Sequence, residues 1–316
     1  MYIGIDVGGT AIKAGIVDEK GNIIVKGSMK TRAKESYKIL AEDICEIAKK
    51  MVAESGCEMS DIKAMGVGCP GSVDDKAGIV VYANNLNLIN APLADAIKEN
   101  LNIPVFLGND ANCAALGEFF ALRDEKIQNV VAITLGTGVG GGVIINRKIY
   151  TGFNGSAGEL GHIVLKADGM KCTCGRKGCW EAYASVTALI RQAEEAAKEN
   201  PDSLLFKYIE DNGGKANGKI PFDAAQKGDK TAKDVVDKYI RYVSEGIVDV
   251  INIFQPEALI IGGGISKQGE NLVAPIREYV KNYTYGHQCN IPIAKISIAK
   301  LGNDAGIVGA ALLGKN

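Results

Sequence analysis

Three cysteines and a histidine near the middle of the chain have the donor atoms that a tetrahedral zinc site needs. Cys172, Cys174 and Cys179 follow the pattern Cys-x-Cys-x4-Cys, and His162 lies ten residues upstream. Structural zinc takes four such ligands and leaves no position open. The cysteine loop is polar and rich in glycine, so zinc binding would supply the order that apolar packing does not. We predict a structural zinc site; free thiols on a mobile loop are the alternative.

Two glycine turns, each containing a threonine, lie between short apolar segments. The first is Gly8-Gly9-Thr10, which follows Asp6, and the second is Gly136-Thr137-Gly138. Backbone N–H groups in such a turn bind phosphate oxygens. The second turn also fits the Gly-x-Gly-x-x-Gly dinucleotide pattern, but residues 141–150 read as a strand, whereas the Rossmann motif needs a helix there. The pair predicts a site for nucleotide phosphates; two plain hairpin turns are the alternative.

The dipeptide Asn109-Asp110 stands where a predicted strand ends and a predicted helix begins. A carboxylate at that point is suited to accept the proton of a substrate hydroxyl, as the base of a kinase does. Asn and Asp are also favoured residues at the N-cap of a helix. The spacing by itself leaves both roles open.

Several motifs, taken in order, resemble those of a known fold. Asp6-Val-Gly-Gly-Thr10, Gly136-Thr-Gly138 and Gly262-Gly-Gly264 resemble the phosphate-1, phosphate-2 and adenosine motifs of the sugar-kinase, actin and Hsp70 ATPase fold. The stretches Gly158-Glu-Leu-Gly-His162 and Cys172 to Glu181 narrow the resemblance to the ROK family (repressors, open reading frames and kinases), and within it to the bacterial glucokinases. The resemblance covers almost the whole chain, and the cysteine segment is its most specific part.

The resemblance implies an α/β fold of two similar ribonuclease H-like domains, of the actin and hexokinase type, with an interdomain cleft. It also implies ATP-dependent phosphorylation of a hexose at the 6-hydroxyl, with glucose as the expected substrate, glycolysis as the setting, and ATP, Mg²⁺ and structural zinc as cofactors. A kinase for another hexose, such as N-acetylmannosamine, is one alternative. A sugar-responsive repressor is another, but we expect no DNA-binding helix-turn-helix, since five residues precede Asp6.

The resemblance carries roles over to individual residues. Asp110 matches the general base. The residues that match sugar ligands are Asn85, Asn109, Asp110, Glu159, His162 and Glu181. Those that match the site for ATP and its magnesium are Asp6, Gly8, Gly9, Thr10, Lys13, Thr137, Gly138, Gly262, Gly263 and Gly264. His162 would both bind zinc and contact the sugar.

Two of these assignments have a qualification in the sequence. Lys13 is suited to reach a phosphate, but a solvated strand lysine is the alternative. After Asn85 the chain reads Leu-Asn-Leu, where glucokinases usually carry a Gly-Trp pair. We therefore expect a sugar pocket of different shape.

Apolar periodicity predicts the elements that position these residues. Strands are expected at 2–6, 12–18 and 23–27, and a similar set at 130–135, 143–145 and 148–150 suggests an internal duplication. Helices are expected at 37–55, 93–100, 111–122, 181–200, 231–254 and 305–313. We predict a small N-terminal α/β domain of residues 1–115 plus about 300–316, and a large domain of residues 116–299 that carries the zinc loop.

Composition excludes several classes of protein. The formal net charge of −1 over 316 residues argues against a nucleic-acid partner. The uncharged stretch 127–146 has five glycines between 136 and 142, which suits a loop between strands rather than a membrane span. The 39 glycines make up roughly 12% of the 316 residues, against a usual ~7%, and the excess is expected in turns and loops. We expect a cytoplasmic homodimer or homotetramer without membrane partners.

Overall fold

The strands of the computed structural model, which describes residues 1–289 and 291–315, form three sheets. Asn290 and Asn316, the last residue of the predicted small domain, lie outside the described residues. In chain order the strands are β1 (Tyr2–Val7), β2 (Ala11–Val17), β3 (Ile23–Lys30), β4 (Ala64–Cys69), β5 (Ser72–Asp74), β6 (Ile79–Ala83), β7 (Leu88–Ala91), β8 (Val105–Asn109), β9 (Val130–Leu135), β10 (Val139–Ile145), β11 (Lys148–Ile149), β12 (Ala258–Gly262) and β13 (Lys295–Ile298).

Helices account for most of the remaining regular structure. They are α1 (Tyr37–Ser55), α2 (Leu93–Leu101), α3 (Asp110–Ala121), α4 (Glu181–Ala184), α5 (Val186–Glu199), α6 (Leu204–Asp211), α7 (Ile220–Gln226), α8 (Lys230–Phe254), α9 (Glu270–Tyr283) and α10 (Ala305–Leu312). Within the described part of the chain, no helix is both long and apolar enough to cross a bilayer. The uncharged stretch 127–146 instead contains β9, a glycine turn and β10, and β10 starts at Val139, four residues before the predicted strand 143–145.

The two larger sheets have the same topology. Their strand orders are β3-β2-β1-β4-β8 and β11-β10-β9-β12-β13. In the first, β1, β2 and β3 are antiparallel neighbours, while β4 is parallel to both β1 and β8. In the second, β10 and β11 are antiparallel, while β12 is parallel to both β9 and β13. The predicted α/β class and internal duplication are confirmed.

The chain folds as two compact units. Unit 1 comprises Met1–Gln128, Gly142–Gly158 and Lys300–Asn316, and unit 2 comprises Asn129–Gly141 and Glu159–Ala299. The domain boundaries expected from the sequence, with a division near residue 115, stay a prediction.

The register of unit 1's five-stranded sheet aligns the candidate catalytic residues at one edge. Asp6 of β1 lies opposite Gly68 of β4, and Cys69 of β4 lies opposite Asn109 of β8. Neighbouring strands are ~4.8 Å apart. Because β4 lies between β1 and β8, the ends of these two strands are two spacings, or about 10 Å, apart. Asp6 and the Asn109-Asp110 pair therefore project from the same carboxyl-terminal edge.

Helix α10 packs against the sheet and α3 at backbone distance. A Cβ atom at Gly4 or Gly66 would lie well inside contact distance of a carbonyl oxygen of α10. A Cβ atom at Gly309 would equally overlap the carbonyl oxygen of Cys113 in α3. The glycine excess therefore serves helix packing as well as turns, so the expectation that it lies in turns and loops was too narrow.

A buried carboxylate fixes the chain just before α10. Glu118 of α3 is 5% exposed and accepts hydrogen bonds from the backbone N–H groups of Lys300 (2.7 Å), Leu301 (2.8 Å) and Gly302 (3.1 Å). Charge-assisted bonds of this kind offset the cost of burying an acidic side chain. Glu118 thus sets where the last segment meets α3.

Some elements differ from the sequence-based expectation. One helix was predicted over 181–200, but Ser185 has extended backbone angles and its hydroxyl oxygen accepts a hydrogen bond from Ala188 N–H, so a new helix, α5, starts there. The small sheet β5-β6-β7 and helices α6 and α7 were not predicted. The strands of that sheet are three to five residues long, too short for a clear alternation.

We expect Gly309→Ala to lower the free energy of unfolding by about 3 kcal/mol, because the added methyl group overlaps backbone that cannot move aside. Helix propensity alone would change stability in the opposite direction, by about 1 kcal/mol. Urea denaturation of both proteins measures the difference. Gly264→Ala is the control, since no described atom lies within 4 Å of a Cβ added there. Equal stability of Gly309→Ala and the parent would contradict the packing argument.

Candidate active site

The first glycine turn joins β1 to β2 in unit 1. Gly8 N–H donates to the carbonyl oxygen of Ala11 (2.9 Å), which closes the turn. A Cβ atom at Gly9 would lie 3.6 Å from Cβ of Asn85. Asn85 itself is exposed in a short 3₁₀ turn, Asn84–Leu86, which ends in the left-handed residue Asn87 (φ 53°). The turn that matches the phosphate-1 motif and one of the predicted sugar ligands are therefore neighbours.

Asp6 and Lys13 face each other across β1 and β2 and form an ion pair, with 3.0 Å between Lys13 Nζ and Asp6 Oδ2. The Lys13 side chain remains 41% exposed. On its other side Asp6 meets α10, where a Cβ atom at Gly306 would lie 2.8 Å from the carboxyl carbon. Lys13 is therefore paired with Asp6 while much of its side chain stays exposed, and its positive charge lies near the strand end that precedes the first turn.

Asn109 is the N-cap of α3. Its Oδ1 accepts hydrogen bonds from the N–H groups of Ala111 (2.9 Å) and Asn112 (3.1 Å), and its Nδ2 donates to the carbonyl oxygen of Gly71 (2.9 Å). Asp110 is the first residue of the helix, and its Oδ1 also accepts from Ala111 N–H (2.8 Å). The Asn109 side chain therefore caps α3, and the role of Asp110 as general base stays a prediction.

The pKa values of two buried thiols are affected by the nearby candidate carboxylates. Burial raises the pKa of Cys69 to about 12, and the negative charge of Asp110 adds to the shift. Burial also raises the pKa of Cys113, with further contributions from Asp110 and then Asp6. Asp6 and Asp110 therefore act on the same buried spot, which agrees with their placement at one edge of the sheet.

A cavity of about 220 Å³ lies in unit 1 beside Asn109. Its polar wall includes Asp75, Asn112, Lys148 and Thr151. At ~30 Å³ for each water molecule, it has room for about seven. Unit 1 therefore has a cavity of mixed polar and apolar lining next to the residue that precedes the candidate base.

The second glycine turn, between β9 and β10 in unit 2, is bonded from outside through its carbonyl oxygens. Val186 N–H donates to Gly136 O (2.8 Å), and the Thr187 hydroxyl donates to Thr137 O (2.8 Å). Inside the turn, Gly136 N–H donates to Gly138 O (3.0 Å). A helix does not follow this turn, so the Rossmann interpretation is excluded, as expected.

The third glycine segment, Gly262-Gly263-Gly264, lies next to the second turn. Gly262 pairs with Thr134 of β9, two residues before Gly136. Gly263 has φ 87°, and a Cβ atom there would overlap the carbonyl oxygen of Leu135. Only glycine fits such a left-handed, closely approached position. The segments that match the phosphate-2 and adenosine motifs are thus brought together.

The predicted metal ligands converge. The ligand atoms of His162, Cys172, Cys174 and Cys179 all lie within 4.8 Å of one another. Cys172 Sγ is 3.8 Å from His162 Nδ1, and Cys174 Sγ is 3.6 Å from Cys179 Sγ. A tetrahedron with Zn–S bonds of ~2.3 Å has edges of about 3.8 Å. Both the spacing and the three-thiol, one-imidazole donor set fit zinc.

The environments of the thiols differ. Burial raises the pKa of Cys179 to about 12, and its neighbouring thiols add to the shift. The backbone N–H of Arg176 lowers the pKa of the exposed Cys174. A divalent cation would take the place of the thiol protons, because thiolate is the ligand form of cysteine.

Backbone bonds and one tryptophan fix the cysteine loop. Leu165 N–H donates to Gly178 O (2.8 Å), and Trp180 N–H donates to Ile163 O (2.8 Å). The Trp180 ring is fully buried, and its Nε1–H donates to Tyr242 O in α8 (2.8 Å). A Cβ atom at Gly246 would overlap the ring, so α8 leaves room for it. The loop therefore has an apolar anchor that the sequence analysis did not anticipate.

Glu181 connects the metal ligands with the second glycine turn. Its Oε2 accepts from Val139 N–H (3.0 Å), directly after Gly138, and its Oε1 accepts from the Thr173 hydroxyl (3.3 Å) and the Cys172 thiol (3.7 Å). A Cβ atom at Gly138 would overlap Oε2. Glu181 therefore contacts both parts of unit 2 that the sequence singled out.

Glu159 lies at the start of the short 3₁₀ helix Leu160–His162, where its carbonyl oxygen accepts from His162 N–H (3.1 Å). A Cβ atom at Gly161 would overlap the carbonyl oxygen of Val139. Glu159 and His162 are therefore on a segment packed against the start of β10, next to the second turn.

Each unit thus assembles its own share of the predicted residues. Unit 1 brings together Asp6, the first turn, Lys13, Asn85 and the Asn109-Asp110 pair, and unit 2 brings together the second turn, Gly262 to Gly264, Glu159, Glu181 and the metal ligands. Sequence reasoning missed Thr31 and Thr187, whose hydroxyls bond the turns, and Glu118. Their partners lie far away in the sequence or on unpredicted backbone, so no local pattern marks them.

Comparison with known proteins assigns the family. The ROK family profile matches residues 2–316. Glucokinase from Thermotoga maritima is 39% identical over 313 residues, which cover 98% of this chain and 95% of that protein. Glucokinase from Halalkalibacterium halodurans is 37% identical over 316 residues, covering 99% and 94%. A crystal structure of a ROK family glucokinase from Streptomyces griseus, in complex with glucose and AMPPNP, matches with a TM-score of 0.77 at 38% identity and covers 99% of this chain and 98% of that one.

These matches extend over nearly the full length and exceed 30% identity, so they confirm the resemblance that the glycine turns and the cysteine segment indicated. By its motifs, its fold and its relatives, this chain belongs to the ROK family.

Proposed function

We propose that the protein transfers the γ-phosphoryl group of ATP to the 6-hydroxyl of a hexose, with glucose as the substrate. The observation that carries this proposal is the placement of Asp110 at the capped start of α3, at the same sheet edge as Asp6 and the first glycine turn. Full-length relatives named glucokinase, and one structure that contains glucose and AMPPNP, support the choice of substrates.

Asp110 acts as the general base. Its carboxylate accepts the proton of the sugar hydroxyl as that oxygen attacks phosphorus, which is the proton transfer a kinase needs. Asn109 positions it, since all the hydrogen bonds of the Asn109 side chain described above hold the strand end and helix start together. The Asn109 amide nitrogen carries two N–H groups, of which one donates to Gly71 O, and the other is proposed to donate to the sugar.

The glycine turns bind the phosphates through their N–H groups, and Lys13 adds a positive charge near the first turn. Asp6 is the carboxylate that would hold Mg²⁺, which neutralises charge on the phosphates when bound. Gly263 passes close to Leu135, whereas a Cβ atom at Gly264 would meet no other described residue within 4 Å apart from its chain neighbours, so space for the adenosine is available at Gly264.

Sugar hydroxyls are bound by carboxylate, amide and imidazole groups that accept or donate hydrogen bonds in fixed directions. The proposed ligands in unit 1 are Asn85, Asn109 and Asp110, and those in unit 2 are Glu159, His162 and Glu181. Polar sites of this kind discriminate strongly against analogues that lack a hydroxyl. Bound zinc supplies order to the loop, and its ligand His162 and neighbour Glu181 then stand in defined positions.

The product, a hexose 6-phosphate, places the reaction in glycolysis, and the composition suits a cytoplasmic enzyme. We propose a homodimer or homotetramer as the state in solution. Sedimentation analysis of the purified protein distinguishes these states from a monomer.

A coupled assay with ATP tests the proposed reaction. We expect glucose to give the highest kcat/KM in a panel that includes mannose, galactose, fructose and N-acetylmannosamine, and 6-deoxyglucose to give no product because it lacks the accepting hydroxyl. A higher kcat/KM for N-acetylmannosamine would replace glucose as the substrate. No turnover of any hexose would refute the proposed function.

Asp110→Asn should lower kcat by at least roughly 10²-fold, because the amide cannot accept the proton. Stability and glucose binding should change little, since Asn also suits the first turn of a helix. Steady-state kinetics and glucose calorimetry measure both. Asp95→Asn, in the first turn of α2, is the matched control and should retain full activity. A kcat for Asp110→Asn within threefold of the parent would leave Asp110 with a structural role alone.

We expect about one zinc ion per chain by elemental analysis. Cys174→Ser should lose this ion, lower the melting temperature and raise the KM for glucose, since His162 and Glu181 lose their fixed positions. The KM for ATP should rise too, because Glu181 also bonds Val139 N–H next to the second turn. Cys289→Ser, which changes another exposed cysteine, should match the parent in all four measurements. Full zinc content in Cys174→Ser would contradict the assignment of the ligand.

A further inference from the structure

The two glycine turns share a contact that neither motif includes. In unit 1, the hydroxyl of Thr31 donates a hydrogen bond to the carbonyl oxygen of Gly8 at 2.7 Å. In unit 2, the hydroxyl of Thr187 donates to the carbonyl oxygen of Thr137 at 2.8 Å. In both cases a threonine from outside the turn bonds a backbone oxygen inside it.

Next to each threonine hydroxyl, a backbone N–H also bonds the turn. Thr31 N–H donates to Thr10 O at 3.1 Å, so Thr31 holds the oxygens on both sides of Gly9. Val186 N–H, one residue before Thr187, donates to Gly136 O at 2.8 Å. Two carbonyl oxygens in each turn are thus bonded by one short neighbouring segment.

These bonds set the direction of the peptide groups. In a glycine turn a peptide plane can rotate easily, since glycine has no Cβ to oppose it. Rotation would turn the N–H away from a bound phosphate and point the carbonyl oxygen toward it. The N–H attracts the phosphate, whereas the carbonyl oxygen and the phosphate oxygens repel each other. A peptide group whose carbonyl oxygen is already bonded to a threonine resists this rotation, so its N–H stays directed toward the ligand.

We propose that Thr31 and Thr187 are positioning residues that hold the two turns in the orientation that binds nucleotide phosphates. The proposal rests on the proposed use of ATP. It assigns both threonines a role through the turn backbone and no contact with the nucleotide.

The two threonines are themselves fixed. Thr31 is 6% exposed, and the next residue, Arg32, pairs with the buried carboxylate of Asp43 in α1. Thr187 is itself exposed and lies in the first turn of α5, where the Ser185 hydroxyl oxygen accepts from Ala188 N–H. Because water can replace a hydroxyl at an exposed site but not at a buried one, loss of the Thr31 hydroxyl should have the larger effect.

The test measures nucleotide binding by calorimetry with AMPPNP, without sugar, and then the KM for ATP and for glucose. Thr31→Val should weaken AMPPNP binding about 3- to 10-fold, and Thr187→Val about twofold, the range of one neutral hydrogen bond. The KM for ATP should rise in proportion, and the KM for glucose should stay within about 1.5-fold. Thr31→Ser and Thr187→Ser keep the hydroxyl and should bind AMPPNP like the parent.

Thr284→Val is the matched control. Thr284 is buried, and its hydroxyl donates at 2.7 Å to the carbonyl oxygen of Val280 in α9, which belongs to neither turn. It should lose stability as Thr31→Val does and bind AMPPNP unchanged. If Thr31→Val does not fold, Thr187→Val at its exposed position decides the question.

AMPPNP affinity equal to the parent in both valine variants would overturn the inference while leaving the proposed function intact. Equal weakening in Thr284→Val, or failure of serine to restore binding, would reduce the effect to lost stability or packing and would also overturn it. A parent protein that binds no AMPPNP and phosphorylates no hexose would overturn the proposed function, and the inference with it.

Discussion

Backbone contact between α10 and its neighbours is the constraint on which the candidate catalytic residues of unit 1 depend. Glycines on β1, β4, α3 and α10 remove the side chains that would keep these elements a normal packing distance apart. Gly306 sets α10 against Asp6, and Gly309 sets it against Cys113, one turn into the helix that Asp110 begins. Since protein interiors are close-packed, the position of α10 determines how far the ends of β1 and α3 lie from one another. Glu118 of α3 also bonds the backbone just before α10. The position of α10 is therefore fixed by contacts with both β1 and α3.

In unit 2 the candidate residues are held in position by hydrogen bonds and a single buried side chain rather than by backbone packing. Its metal ligands lie on a loop with little apolar surface, and the loop is attached at Trp180, which is buried against α8. From that anchor the chain runs through Glu181, which bonds Val139 N–H directly after the second turn, to Val186 and Thr187, which bond carbonyl oxygens within the turn. The candidate metal ligands and the second glycine turn are therefore only one short segment apart. Order supplied by a metal at the cysteines would reach the turn through hydrogen bonds rather than through packing.

The sequence was informative where one residue type has few alternatives. Glycine at a turn, clustered cysteines with a histidine, and Asn-Asp between a strand and a helix each restrict the backbone or the chemistry strongly, and the fold class and duplication followed from their order. The helix expected over 181–200 shows the limit, because its periodicity continues through Ser185 although the serine starts a new helix. Thr31 and Glu118 show another, since their bonds join residues 23 and more than 180 positions away and leave no periodic trace. The role of glycine in packing α10 was missed for the same reason: it depends on which backbone lies opposite.

The threonine contacts also bear on how the duplicated sheets came to serve one purpose. Thr31 directly follows β3, the third strand of its sheet. The corresponding strand of the other sheet, β11, is two residues long, and the hydroxyl that bonds the second turn comes instead from α5, which follows the cysteine segment. Topology alone would have placed the second donor after β11. Two different parts of the chain thus each supply a threonine hydroxyl to a carbonyl oxygen of a glycine turn. A contact inherited passively from the duplication would come from equivalent strands, so the physical need to hold the turn carbonyls explains this pair better than common descent of the two sheets.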